Sequence, residues 1–164
     1  MKNVLNRLGI FLFVAVVVLS CKKDDEDPVL GTFTVDGRSY NISHGAIFPS
    51  DAELNSAEET VYHIDVALSG PADHGFHFTV VSATETLESG TFTFSDAAPW
   101  ELKAGDMRYI LVYEGETVTE GTTAGTIAVS KLASDQYTFA IQGTVNGVTV
   151  AAAFTGKVQL VEAN

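Results

Sequence analysis

Beyond residue 30 the chain alternates apolar and polar residues in short runs, broken by glycine, proline, aspartate and asparagine. Period-two alternation marks half-buried strands, and no amphipathic helix of useful length stands among these runs. Two hairpins can be read in register. Residues 32–35 and 38–42 flank Asp36-Gly37, a pair suited to a two-residue type I′ turn in which both positions take positive φ. That turn sets Val35 opposite Arg38 and Phe33 opposite Tyr40, with the apolar residues on one face. A slip of one residue would send one strand's apolar set to water. Residues 137–145 and 148–154 meet across Asn146-Gly147. The turn pairs Val145 with Val148, Ile141 with Ala152 and Phe139 with Phe154. Thr138, Gln142, Thr144, Thr149 and Thr155 fall on the other face.

The preceding strand is 126–131. A three-residue loop at Ala133-Ser134-Asp135 sets Val129 against Phe139 and Ile127 against Ile141, whereas a two-residue loop would put Ser130 there. With a last strand at 157–161, residues 126–161 read as a four-stranded antiparallel meander. Further strands are expected at 46–48, 61–68, 76–83, 91–95 and 107–114, with longer loops at 49–60 and 96–106. Gly31, Gly90 and Gly125 each open a Gly-Thr-apolar-x-apolar run, read as strand starts at unequal spacing. About ten short strands in one domain predict an all-β fold, an antiparallel β-sandwich, with a closed lipocalin-like barrel as the alternative. Only the barrel would naturally enclose a ligand cavity.

The first twenty residues differ in kind. Lys2 and Arg7 are followed by an apolar run over 8–19 and by Ser20. About a dozen apolar residues fall short of the roughly 20 a spanning helix needs. A basic head, a short apolar run and a small residue make a secretory signal peptide. Val18-Leu19-Ser20-Cys21 resembles the lipobox of bacterial lipoproteins, with Val18 and Leu19 in the reverse of the usual order. The resemblance implies diacylglyceryl on the Cys21 sulfur, cleavage between Ser20 and Cys21, and acylation (palmitate or a similar chain) of the new amino terminus. Cys21 is the single cysteine of 164 residues. It can form no intramolecular disulfide, and a free exported thiol would be open to oxidation. Lipidation accounts for both its number and its place.

Residues 22–28 are charged and have nothing to bury, so they read as a solvated tether. This stretch resembles the charged segment that follows the cysteine in Bacteroidetes lipoproteins. There it accompanies export to the outer face of the outer membrane. From Gly31 onward the chain resembles small uncharacterised lipoproteins of the same group, through residues 31–37, 89–95 and 154–158. That implies an all-β surface lipoprotein and lends no activity. The expected organisation is a leader at 1–20, a lipidated cysteine and tether at 21–30, and one domain at 31–164.

The net charge is −12, and loss of Lys2 and Arg7 with the leader makes the mature chain more negative still. Such a domain has no electrostatic basis for binding nucleic acid. Anionic membrane surfaces should repel it, so attachment falls to the lipid. The chemistry-bearing residues are sparse. His74, His77 and Asp73 could contribute to a zinc site, which needs three or four converging ligands. The strand reading puts His63 opposite Val81, about four residues from His77, so no metal site is expected. No Gly-x-Ser-x-Gly or His-Glu-x-x-His occurs, and no catalytic residues or cofactors are assigned. Trp100, the single tryptophan, is the candidate ligand-binding residue. An exposed loop aromatic is a platform for sugar rings or partner surfaces; otherwise the loop folds its tryptophan over one end of the core. The expected function is a membrane-anchored, non-enzymatic module binding an extracellular glycan or protein. The alternatives are a small hydrophobic-ligand carrier, if the strands close a barrel, and an enzyme of unknown class.

Overall fold

The computed structural model describes residues 27–161. The expected leader, Ser20, Cys21 and the first part of the tether lie outside them. The described chain is nearly all β: β1 (Gly31–Val35), β2 (Arg38–Ile42), β3 (His44–Leu54), β4 (Thr60–Ser69), β5 (His74–Ser82), β6 (Gly90–Phe94), β7 (Asp106–Glu114), β8 (Thr117–Thr119), β9 (Thr122–Ala133), β10 (Gln136–Val145), β11 (Val148–Lys157) and β12 (Gln159–Leu160). Short 3₁₀ turns lie at Pro71–Asp73 and Pro99–Glu101. Among the described residues no helix is long and apolar enough to cross a membrane.

Both turns have the backbone their residues favour. Asp36 and Gly37 sit at φ 48 and 76, Asn146 and Gly147 at φ 49 and 80. The expected pairs Val35–Arg38, Phe33–Tyr40, Val145–Val148, Ile141–Ala152 and Phe139–Phe154 all form. Val129 meets Phe139 and Ile127 meets Ile141 as expected, by a different route. Ala133 pairs with Gln136 across a two-residue turn, and Leu132 is the extra residue of a bulge that restores the register. A bulge adds one residue to one strand, as a longer loop would.

All the strands join one mixed sheet. Eleven follow the order β12-β3-β4-β5-β7-β6-β9-β10-β11-β1-β2, and β8 pairs separately with β7. The sheet curls strongly into a half-barrel. Ser43 alone separates β2, at one end of the order, from β3, next to the other. Val158 alone separates β11 from β12. A single linking residue spans at most about 7 Å, so the two ends of the sheet approach that closely at these crossings.

Four expectations are corrected. The sheet is mixed, not antiparallel, since β6 pairs parallel with β7 and β12 parallel with β3. The meander has three strands, β9 to β11. Both edges of β11 are taken, by β10 and β1, so the last strand has no place beside it and crosses to β3. β3 also runs on through Pro49 to Leu54, where a loop was expected, and Gly125 lies inside β9 rather than at its start.

The concave side is filled by rings. Phe33, Phe76, Phe78, Phe139, Phe154 and Tyr137 are all buried. Phe139 packs on Phe78, Tyr137 and Phe154 with centroids 5.6 to 5.8 Å apart. Each such pair adds about 0.5–1.5 kcal/mol beyond area burial. Toward one end, buried Leu87 and Tyr137 close over these rings, the tyrosine hydroxyl donating to the Leu87 carbonyl at 3.2 Å. Beside the start of β5, Tyr40 stacks on His74 at 4.5 Å and donates to Glu114 at 2.5 Å, while Arg38 pairs with Glu114 at 3.1 Å.

Candidate functional site

The best-furnished surface hollow arises where β6 stops. β6 pairs Thr93 and Phe94 with Asp106 and Met107, then leaves the sheet at Ser95. Beyond that point β7 and β9 are drawn together by Thr122. Its hydroxyl accepts the Ile110 amide at 2.6 Å and donates to the Ile110 carbonyl at 3.1 Å. The gap left on the outer face is a groove of ≈ 530 Å³. Its chemistry comes from Asp96, Arg108, Tyr109 and Glu120, with Phe94 and Pro99 beside them.

A local irregularity supplies the floor. Between β5 and β7, Val80 faces Met107 while Thr79 faces Tyr109, so Arg108 is the extra residue of a bulge. A bulge re-aims side chains. Here both Arg108 and Tyr109 line the outer groove while Met107 and Ile110 stay buried in the core. The guanidinium lies 5.8 Å from the tyrosine ring centroid. Tyr109 is also held from behind. Its hydroxyl reaches Asp65 at 3.5 Å, Thr79 donates to the same carboxylate, and His77 meets the ring edge-on at 5.8 Å. Burial, then the Asp65 charge, raises the Tyr109 pKa against the lowering effect of Thr79 and Arg108. The phenol is therefore a neutral, oriented ring at neutral pH, able to stack and to hydrogen-bond.

The loop over 95–105 crosses the outside of β4 and β5. Its anchor is Leu102, buried with Val61 and Val81 in a second small core. The Asn55 amide donates to the Leu102 carbonyl at 3.2 Å and the Ser56 amide to the Trp100 carbonyl at 2.6 Å. Leu102, not Trp100, is the side chain this loop folds inward. Trp100 is 66% exposed, one residue from the groove-lining Pro99.

The histidines are separately engaged. His63 Nε2 lies 3.7 Å from Glu53, and its buried Nδ1 has no hydrogen-bond partner. His77 Nε2 lies 3.9 Å from Asp65, and His74 stacks on Tyr40. Among the described residues no three His, Cys, Asp or Glu side chains gather as a metal-holding group. Sequence reasoning singled out Trp100, which the structure leaves exposed, and missed the groove. Arg108 and Tyr109 reach one face only through the bulge, and the parallel β6–β7 pairing leaves no local pattern. Set against protein-family models, curated proteins and solved structures, the chain finds no match in any of the three.

Proposed function

We propose that this chain is a lipoprotein held in the outer membrane by lipid on Cys21, facing the cell exterior, whose β domain binds a glycan without catalysis. The observation that carries the binding reading is the groove lined by Tyr109, with exposed Trp100 next in the chain to its lining residue Pro99. Oriented aromatic faces suit the apolar faces of sugar rings, and Asp96, Glu120 and Arg108 suit hydroxyl groups. With a net charge of −12, the domain favours neutral or amino sugars over polyanionic ones. The signal peptide, the lipobox resemblance and the charged tether support the address.

Between sandwich and barrel, the one-residue links at Ser43 and Val158 support a barrel wrapped around a packed core. A hollow of ≈ 490 Å³ over Leu87 and Tyr137 is the feature that favours the hydrophobic-ligand carrier. The ring-filled interior beneath it weighs against that second reading.

The test is a glycan array probed with the detergent-solubilised mature protein. Binding to a defined glycan class is expected, with Tyr109→Ala and Trp100→Ala each lowering affinity about tenfold or more, that is by at least about 1.4 kcal/mol. A blank array contradicts the glycan reading. Binding untouched by either substitution contradicts the site.

A further inference from the structure

One rim of the domain keeps apolar residues that the fold does not bury. Leu132, the bulged residue of β9, is 56% exposed, Leu160 of β12 is 51% exposed and Val29 is 59% exposed. The ≈ 490 Å³ hollow opens at this rim, floored by buried Leu87 and Tyr137 and walled by Ile47 and Leu160.

The chain enters the domain at the same rim. Leu30 accepts the Thr155 amide at 2.9 Å, so the residues before it run beside the end of β11. There Lys157 pairs with Asp135 of the β9–β10 turn at 3.1 Å, and the Val158 amide donates to the Asp135 carbonyl at 2.8 Å. The rim's two lysines are thus matched in place, since Lys131 pairs with Glu88 at 2.7 Å. Glu85 is the one further carboxylate lining the hollow. The rim thus carries no unpaired lysine to draw it to an anionic surface, while Glu85, Asp27 before Val29 and Asp51 beyond Pro49 keep it weakly acidic.

Cys21 and Leu30 are nine peptide steps apart, a reach of at most roughly 30 Å. A domain tethered that closely keeps its entry rim near the lipid. We infer that this rim rests on the neutral surface of the bilayer that holds the anchor, with Leu132 and Leu160 in the headgroup–acyl boundary. The inference rests on the lipid anchor proposed above. Side chains in that boundary are stabilised by apolar burial, and an anionic surface would oppose the contact.

The test uses the full chain matured in cells and reconstituted in phosphatidylcholine vesicles. Acylation blocks the Cys21 thiol, so Leu132→Cys, Leu160→Cys and the control Val118→Cys each take one environment-sensitive fluorophore. Val118 is exposed on β8, which pairs with the far end of β7. Labels at 132 and 160 should blue-shift on reconstitution and be quenched by shallow spin-labelled lipid, while the label at 118 should do neither. The mass of each labelled protein reads acylation independently. Rim labels as water-exposed as the control, on acylated protein, overturn this inference alone. An unmodified Cys21 overturns it together with the anchor.

Discussion

Single residues show how much of this fold depends on partners distant in sequence. Tyr40 donates to Glu114 across 74 positions, and Arg38 joins the same carboxylate. Nothing near residues 38–40 announces that partner, because the pairing exists only once the sheet has curled. The Glu114 hydrogen bond raises the Tyr40 pKa, and burial raises those of Tyr109 and Tyr137. A pKa raised on folding means the unfolded chain gives up its proton first. The stability these groups contribute is complete below about pH 10 and is lost as pH rises through the folded values. Ultraviolet titration of phenolate should therefore show Tyr40, Tyr109 and Tyr137 ionising late, with stability falling over the same alkaline range. Tyr40→Phe should remove one late-ionising group. Tyr40, Tyr109 and Tyr137 titrating at the ordinary value would contradict these contacts.

Among elements, legibility followed the length and the turn chemistry. Both type I′ hairpins were readable because turn residues and alternation point to the same pairing, while the β9–β10 register was readable from alternation alone, its turn and bulge not being legible. β12 and β8 have two and three residues, too few for alternation to show. The extension of β3 was hidden by Pro49, which argues for a loop unless the strand lies near a sheet edge, as this one does. The groove depends on β6 ending early and on one bulge, features that tertiary pairing decides. The loop over 95–105 was legible as a loop, but not which side chain pins it. Leu102 fills a small core that has few other members, so little can collapse into the space it would leave. Leu102→Ala should cost about 2–5 kcal/mol in urea unfolding. A loss under about 1 kcal/mol would mean that the loop is not pinned there.

For the whole molecule, the short β12, the proline and bulge in β3 and its outward carboxylates Asp51 and Glu53 all guard the edge beside β3 against pairing with other chains. Acidic charge favours solubility and disfavours nucleic acid and anionic membranes. Neither property attaches the domain to anything. On the proposed reading attachment falls to Cys21, the charged tether after it supports the exterior address, and the presented groove and the resting rim depend on both. The intact mass of the native protein recovered from cell membranes tests this most directly. The account predicts a chain beginning at Cys21 that carries diacylglyceryl and one further acyl group. A chain that keeps residues 1–20, or one that begins at Cys21 without lipid, would contradict it.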